Sequence, residues 1–340
     1  MASSPGAAGA LPPAILLMGP TAAGKTGLAL ALHDRLPVSL ISVDSAQVYR
    51  GLDVGSAKLD SETLARYPHA LIDIREPEQA YSAAEFVADA EAAMLAAAAA
   101  GKTPLLVGGT NLYFRALLYG LDPLPAADPD LRARLARRAG EHGWEALHRE
   151  LAQRDPDSAR RIRPSDPQRI QRALEVLELT GKGLSAHHSQ PRLPRFPSLR
   201  LVLTAASRKR LHERIGQRAA TMLQSGLVDE VRALRRRPDL RADCPAMRSV
   251  GYRQVWEGLE RGLDAACLPA RIAAATRQLA KRQLTGFRKF SQTLWYDSDH
   301  PAVVGMVVRQ AAGFAALVAG FGFGRDQWQA ERQGAPPTEQ

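Results

Sequence analysis

The first half of the chain alternates short apolar runs with longer stretches of helical pattern. Three runs, AILLM (14–18), LISV (40–43) and PLLVG (104–108), have the length of buried strands. A Gly-rich loop and a Leu-rich stretch follow the first run, and an Ala-rich stretch from about Ser82 to Ala100, with Gly101 as C-cap, precedes the third. This alternation predicts a parallel, doubly wound α/β sheet whose ligands bind at the carboxyl ends of the strands.

The pattern changes after residue 121. Residues 122–197 open on DPLPAADPD, continue with charged helical stretches and close on the proline-rich SQPRLPRFPS. We therefore predict an inserted helical lobe over 122–197 and a core made of 14–121 and 198–324. RLVLTAAS (200–207) is predicted to return to the sheet as a strand, with a helical run from 208 to 237 behind it.

The two ends of the chain and its cysteines indicate the compartment in which the protein is expected. Residues 1–13 are predicted to be a disordered leader, and residues 325–340 a disordered tail. The leader has no basic segment of the signal-peptide kind, and the apolar residues 311–324 are too short and Gly-interrupted to span a bilayer, so they are predicted to form a packed helix. The only cysteines, Cys244 and Cys267, suit a reducing compartment. We expect a cytoplasmic, monomeric protein that does not enter a membrane.

A phosphate-binding loop stands between the first predicted strand and helix. GPTAAGKT matches G-x-x-x-x-G-K-[ST], in which backbone N–H groups and a helix N-terminus surround phosphates. Lys25 is expected to reach the terminal phosphate and Thr26 to bind Mg²⁺. The motif gives the predicted sheet a P-loop NTPase-like core, with the following phosphate-binding residues: Gly19, Pro20, Thr21, Ala22, Ala23, Gly24, Lys25 and Thr26.

Asp44 ends the second predicted strand, whereas the third ends in Gly108, Gly109 and Thr110 rather than in the acid that a motor ATPase supplies there. An aspartate after a strand often caps a helix, but beside a phosphate loop it favours a catalytic base. The residues leave two reactions open. In one the phosphate is a leaving group, and in the other it is transferred to a small acceptor.

The chain is basic, with 45 Lys and Arg against 35 Asp and Glu, a net charge of +10 and a pI near 10.0. This balance favours a polyanionic partner such as nucleic acid or acidic lipid. Residues 269–290 contain six cations and no acid, and Ile272, Leu279, Leu284 and Phe287 are predicted to bury the other side of that helix. Two further basic segments are 161–176 and 248–256. Solvated helix faces remain the alternative for each of them.

Seven ordered segments between about Ile15 and Asp297 resemble one family, the tRNA dimethylallyltransferases, also called tRNA isopentenyltransferases. They are MGPTAAGKT, ISVDSAQVYRGLDVGSAK, HALIDIREPEQAYSAAEF, LLVGGTNLYFRALL, RIRPSDPQRIQRALEV, RSVGYRQVW and ATRQLAKRQLTGFR. The resemblance implies transfer of a dimethylallyl group from dimethylallyl diphosphate to N6 of the adenosine 3′-adjacent to the anticodon in tRNA. The phosphate loop would then bind a prenyl diphosphate.

The resemblance also implies residue roles. The loop would hold the diphosphate, with Thr26 on Mg²⁺, Lys25 compensating charge and Thr21 near the reacting end. Asp44 is similar to the family's base for N6, and Arg218 to a further diphosphate contact, although an exposed arginine remains the alternative. The segments that contact tRNA in the family correspond here to Asp44, Ser45, Ala46, Gln47, Thr110, Arg132, Gln168, Arg169, Ile170, Gln171, Arg172, Arg248, Ser249, Val250, Gly251, Tyr252, Arg253, Lys281, Arg282, Gln283, Leu284, Thr285, Gly286, Phe287 and Arg288.

One departure and two rival functions accompany this interpretation. The family commonly has Trp where this chain has Gly286. The first rival is an ATP-dependent nucleoside or metabolite kinase in which Asp44 accepts the acceptor's proton, and ATP binding at the loop is left open. The second is an RNA-binding module with a structural nucleotide site. The kinase leaves the basic residues 269–290 unexplained.

Overall fold

The computed structural model describes residues 11–187 and 192–320. The chain divides into two compact units at Leu118 and Pro194, so that Tyr119–Leu193 form one unit and the flanking segments form the other. The predicted limits of the inserted lobe, 122 and 197, stand slightly further along the chain. The predicted tail at 325–340 and most of the predicted leader lie outside the described residues.

The larger unit contains, within the described residues, a six-stranded parallel sheet in the spatial order β3-β2-β4-β1-β5-β6. The strands in chain order are β1 (Ala14–Met18), β2 (Val38–Val43), β3 (His69–Ala70), β4 (Thr103–Gly108), β5 (Ser198–Thr204) and β6 (Thr293–Asp297). The three predicted apolar strands and the returning strand are confirmed, although β5 ends three residues before the predicted 207. Parallel strands buried on both faces produce such unbroken apolar runs.

The helices surround this sheet and build the second unit. They are α1 (Lys25–His33), α2 (Ser61–Arg66), α3 (Ala83–Ala99), α4 (Asn111–Tyr119), α5 (Pro129–His142), α6 (Trp144–Arg154), α7 (Pro156–Arg161), α8 (Pro167–Thr180), α9 (Arg208–Gln224), α10 (Leu227–Leu234), α11 (Tyr252–Glu260), α12 (Leu268–Phe287) and α13 (Val303–Gly320).

Local sequence explains several helix boundaries. The Ser82 hydroxyl accepts a hydrogen bond from the Glu85 amide, and the Glu85 carboxylate accepts one from the Ser82 amide, which starts α3 with a capping box. The single helical run predicted over 208–237 is wrong. Gly226 takes a left-handed conformation (φ 96°) and divides the run into α9 and α10, because that conformation favours glycine and interrupts the helical hydrogen bonds.

One cluster of the core of the larger unit lies between the sheet and two helices. Leu17 and Leu201 on the strands pack with Leu28 of α1 and with Val307 and Ala311 of α13. The apolar segment predicted at 311–324 is helical as far as residue 320, with Ala311 buried in this core and Leu317 56% exposed, and residues 321–324 fall outside the described part. No helix within the described residues combines the length and apolar character that a bilayer crossing requires.

The second unit is helical and has its own core of leucine, isoleucine and alanine side chains from α5, α6 and α8. Asp166 caps α8 through the amide of Arg169, and Pro167 occupies the first turn. Glu175 is completely buried in this unit.

The sheet register brings three strand ends together. Met18 and Val43, the last residues of β1 and β2, both pair with Gly108 at the end of β4. A Cβ atom added at Gly108 would lie 2.0 Å from the Val43 carbonyl oxygen, so only glycine fits there. The segments after these strands therefore start from one edge of the sheet.

Candidate active site

The phosphate loop leaves β1 at Met18 and enters α1 at Lys25. Gly24 adopts a left-handed conformation (φ 83°), which turns the chain into the helix. A Cβ atom at Gly19 would lie 2.2 Å from the Leu203 carbonyl oxygen on β5. These two positions explain the two fixed glycines of the motif, and the loop and α1 follow the predicted strand-loop-helix order.

Lys25 turns its ammonium group back over the loop. Its Nζ donates a hydrogen bond to the Pro20 carbonyl oxygen at 2.8 Å. Burial lowers the pKa of Lys25 to about 8; nearby Asp44 opposes this shift and Arg218 adds to it. Lys25 is half-buried and bonded to one neutral acceptor, so an anion bound at the loop would stabilise its charge.

Asp44 uses one carboxylate oxygen to hold the chain that follows β2. Oδ1 accepts hydrogen bonds from the amides of Ala46 (2.8 Å) and Gln47 (3.4 Å). Within the described residues, no group donates to Oδ2. The residues after Asp44 form turns and not a helix, so the helix-capping alternative is wrong. The two bonds hold this turn and fix the side chain, while its second oxygen keeps lone pairs available for a proton.

Thr110 fixes the position of the Asp44 turn relative to β4. Its hydroxyl oxygen accepts a hydrogen bond from the Ser45 amide at 3.2 Å, and its own amide donates to the Val43 carbonyl oxygen at 3.3 Å. The predicted residues Asp44, Ser45 and Thr110 are thus brought together at the sheet edge.

Arg218 reaches the same place from α9. Its guanidinium donates to the Ser56 carbonyl oxygen at 3.3 Å. Burial lowers the pKa of Arg218, while the negative charge of Asp44 acts in the opposite direction. Lys25, Asp44 and Arg218 therefore interact electrostatically at one site, and the alternative of a merely exposed Arg218 does not hold.

Glu230 orders the backbone that carries Ser56. Its carboxylate accepts from the amides of Asp53 (3.1 Å), Val54 (2.8 Å) and Gly55 (3.2 Å), and from the Tyr252 hydroxyl at 2.6 Å. Sequence reasoning missed this residue. Its only local signal is an acid in the first turn of α10, which is common at helix starts.

Lys58 was missed as well, although it lies within one of the resembling segments. Its Nζ donates to the Tyr49 carbonyl oxygen (3.0 Å) and to the carboxylates of Asp53 (2.5 Å) and Asp73 (2.6 Å). Only 3% of its side chain is exposed. Lys58 therefore holds together the loops that follow β2 and β3.

Gln283 connects α12 to the phosphate loop. Its Oε1 accepts a hydrogen bond from the Thr21 amide, and its Nε2 donates to the Gly109 carbonyl oxygen, both at 3.0 Å. A Cβ atom at Gly109 would lie 2.3 Å from that Nε2, so glycine is required for the contact. Gln283 is buried, and its predicted role as a tRNA contact is replaced here by an internal bridge.

The predicted row of cations at 269–290 is confirmed only in part, since Arg271 pairs with Glu257 at 3.3 Å and Arg277 is half-buried. Lys281, Arg282 and Arg288 are exposed, while Ile272 and Phe287 on the other side are buried. Leu279 and Leu284 are only half-buried, so the predicted apolar side is narrower than expected. These exposed cations give the C-terminal part of α12 a positively charged surface.

The structure corrects several predicted tRNA contacts. Tyr252 is completely buried against the loop at Gly55, so it offers no ring for base stacking. Phe287 and Ile170 are buried too, since both are core residues of their units. Gly251 is buried at the start of α11, and Ser249, Val250 and Leu284 are partly covered.

In the second unit, three predicted contacts have internal partners. Arg132 and Arg172 both pair with the buried Glu175, through bonds of 2.7 and 2.6 Å, and Gln171 donates to the Arg132 carbonyl oxygen at 3.0 Å. Burial raises the pKa of Glu175, but the two guanidiniums and the Asp128 amide hold it below the ordinary value. These side chains stabilise the unit. Gln168 and Arg169 of the same helix are exposed, as are Arg248 and Arg253 of the larger unit.

Gly286 packs directly against Asn111. A Cβ atom at Gly286 would lie 2.3 Å from the Asn111 Nδ2 atom, which itself donates to the Gln283 carbonyl oxygen at 3.0 Å. The absence of the family's usual tryptophan therefore has a local cause, because α12 approaches the start of α4 too closely for a larger side chain.

Thr26 fits the predicted role toward Mg²⁺. It stands at the start of α1, one residue after Lys25, and its side chain is exposed to the loop's surroundings. Mg²⁺ usually takes one or two protein oxygens and completes its octahedron with water and substrate phosphates. A single hydroxyl beside a phosphate loop satisfies that requirement.

Comparisons with known sequences identify the family of this chain. The family model described as IPP transferase matches residues 47–290. A tRNA dimethylallyltransferase from Thiobacillus denitrificans is 57% identical over 288 residues, which is 84% of this chain and 92% of the relative.

Three solved structures are similar to this chain. The full-length tRNA isopentenylpyrophosphate transferase from Bacillus halodurans is 32% identical, with a TM-score of 0.67 over 91% of this chain and 98% of that one. The tRNA delta(2)-isopentenylpyrophosphate transferase from Staphylococcus epidermidis is 30% identical, with a TM-score of 0.62 over 89% and 98%. A eukaryotic dimethylallyltransferase acting on tRNA, at 21% identity, shares the fold with a TM-score of 0.70 over 97% and 81%.

Proposed function

The chain belongs to the IPP transferase family, and from that premise we propose that it transfers a dimethylallyl group from dimethylallyl diphosphate to tRNA. The acceptor is N6 of the adenosine 3′-adjacent to the anticodon, and the second product is diphosphate. The observation that carries the proposal is the convergence of Lys25, Asp44 and Arg218 beside the phosphate loop.

Lys25 and Arg218 carry the positive charge that the diphosphate of the donor requires. As the allylic C–O bond breaks, its electron pair leaves with the diphosphate, and negative charge grows on the bridging oxygen. Lys25 and Arg218, with the loop amides, compensate that charge in the transition state, where it matters for rate. Mg²⁺, held through Thr26 and the diphosphate, would add Lewis-acid stabilisation of the leaving group when bound.

Asp44 suits the acceptor. The N6 nitrogen forms a bond to the allylic carbon and loses one proton, which Oδ2 of Asp44 accepts. Because Oδ1 is fixed by the amides of Ala46 and Gln47, the carboxylate keeps its direction during this transfer. A poor nucleophile such as an exocyclic amine gains from a base that is already oriented.

The basic residues suit the RNA. An adenine inside a stacked loop is out of reach of a half-buried aspartate, so the target nucleotide must leave its stack. The exposed cations Lys281 and Arg282 on α12, and Arg288 directly after it, supply phosphate contacts that hold the flanking RNA during this step.

Purified protein incubated with Mg²⁺, dimethylallyl diphosphate labelled in the allyl group and unmodified tRNA tests the proposal. We expect label in the RNA, and none when the tRNA carries guanosine at the target position. A parallel reaction with γ-labelled ATP and nucleosides tests the kinase rival. Phosphate transfer from ATP without label in RNA would refute the prenyltransferase.

A further inference from the structure

A pocket of about 800 Å³ lies in the larger unit between the end of β5, the start of α9, the second half of α12 and β6. Its volume falls within the range of small-molecule sites, about 300–1,000 Å³. Five basic side chains line it, and no described Asp or Glu does: Arg208, His212, Arg277, Lys281 and Arg288. Lys281 and Arg288 are predicted RNA contacts. Arg277 lies in the resembling segment ATRQLAKRQLTGFR without an assigned role, and Arg208 and His212 lie outside the seven segments.

The arginines and the lysine of this pocket are not paired with any acid in the part of the chain that the structure describes. Within the described part of the chain, the side chains of Arg208, Arg277, Lys281 and Arg288 take part in no ion pair or hydrogen bond. Their neighbours behave differently, since Arg214 of α9 pairs with Asp299. Cations that converge on a pocket without acids repel one another, so they indicate a site for an anion of more than one charge.

The pocket also contains an aromatic surface. Trp295 of β6 lines it with 41% of the residue exposed, while Leu211 and Ala280 supply apolar contacts. An exposed tryptophan beside phosphate-binding cations is the arrangement with which proteins hold an unstacked base, since every base has a face for stacking. An inorganic anion alone has no aromatic face that could stack on the Trp295 ring.

We propose that this pocket binds one unstacked nucleotide of the RNA substrate, with its phosphate against the cations and its base on Trp295. The inference rests on the proposed function, because that function supplies the RNA. A free mononucleotide has the same chemistry. The RNA is favoured because Lys281 and Arg288 continue into Arg282 and Lys289, which are exposed next to them on the surface. That row of cations follows a phosphate backbone better than a single small ligand.

The test compares the dissociation constants of unmodified anticodon stem-loop RNA for Arg208→Gln, Trp295→Leu and Lys209→Gln over a range of KCl concentrations. Lys209 is the matched control, because it is an exposed cation of the same helix that does not line the pocket. We expect R208Q to weaken binding about tenfold and to reduce the salt slope by about one. W295L should weaken it about tenfold without changing the slope, W295Y should restore it, and K209Q should change it less than twofold.

Equal effects of R208Q and K209Q would overturn the proposal, provided that circular dichroism shows both variants to be folded. Competition with AMP separates the two sources of nucleotide. If AMP binds in a manner sensitive to R208Q while RNA binding is not, the pocket belongs to a free nucleotide. Wild-type protein that binds RNA through the pocket but never transfers a prenyl group would refute the proposed function alone.

Discussion

The side chain of Gln283 holds the backbone of Thr21, although the two residues are 262 positions apart. The same amide group also binds the carbonyl oxygen of Gly109 at the end of β4. The helix with the exposed cations is therefore bonded to the loop that is proposed to hold the donor. Gln283 acts as a positioning residue, since it sets the loop through Thr21 and contacts no reacting atom.

Replacing Gln283 with leucine should lower kcat about 10- to 100-fold, because a small misplacement of a catalytic loop is costly. RNA affinity should change less than threefold, since the exposed cations remain. Steady-state kinetics with each substrate varied in turn measures the split between kcat and KM. Gln224→Leu makes the same change at an exposed position of α9 and should have no effect. A Q283L enzyme with normal kcat would remove the bridge from the account.

Asp44→Asn should lower kcat by about 10²- to 10⁴-fold, because the amide cannot accept the N6 proton. Asparagine keeps an oxygen for the amides of Ala46 and Gln47, so the turn is expected to persist. Single-turnover rates and filter binding with the same RNA separate chemistry from affinity. Turnover near that of the wild type would show that another group takes the proton.

Lys25 should make diphosphate binding dependent on pH. Its pKa is lowered to about 8, so the free protein carries this charge below pH 8 and loses it as the pH rises above 8. An anion binds the charged form, and affinity should therefore fall by up to about tenfold per pH unit above pH 8. Isothermal titration with inorganic diphosphate measures this. K25M serves as the control, because its remaining pH dependence belongs to the ligand, and identical profiles for the two proteins would contradict the assignment.

Gly286→Ala should lower the free energy of unfolding by about 1–3 kcal/mol, because the new methyl group meets the Asn111 side chain. Gly216→Ala is the matched control. Nothing lies within 4 Å of a Cβ atom at that helical position, so alanine should stabilise it by about 0.5–1 kcal/mol. Denaturant unfolding measures both.

Asn111→Ala combined with Gly286→Ala tests the cause of that effect. The two changes should be coupled, with the double variant more stable than the sum of the single changes by at least about 0.5 kcal/mol. Additive losses would mean that the contact between these residues is not what limits position 286.

Local patterns explain why the sequence predicted much of the sheet and the site. β1, β2 and β4 are unbroken apolar runs, and the phosphate loop is a contiguous motif, so each was visible within a few residues. β6 was missed because its apolar run, Leu294 to Tyr296, is only three residues long. The break at Gly226 was missed because α9 and α10 share a continuous helical periodicity.

The hydrogen-bond partners of individual side chains depend on tertiary contacts, so local sequence patterns could not predict them. Tyr252 belongs to a basic and aromatic segment of the kind that binds bases, yet its ring is buried and its hydroxyl serves Glu230. The sequence suggests that Arg132 and Arg172 are surface cations. In the structure, both donate hydrogen bonds to Glu175, which is buried between helices. Charge patterns predicted that these segments matter, but not which side chains face solvent.

Mass spectrometry of nucleosides from tRNA treated with the enzyme and dimethylallyl diphosphate tests the central claim most directly. The account predicts one new nucleoside, an adenosine that carries the five-carbon group on N6, in wild-type reactions and its near absence with D44N. Unchanged adenosine in the wild-type reaction, or an equal yield from D44N, would contradict it.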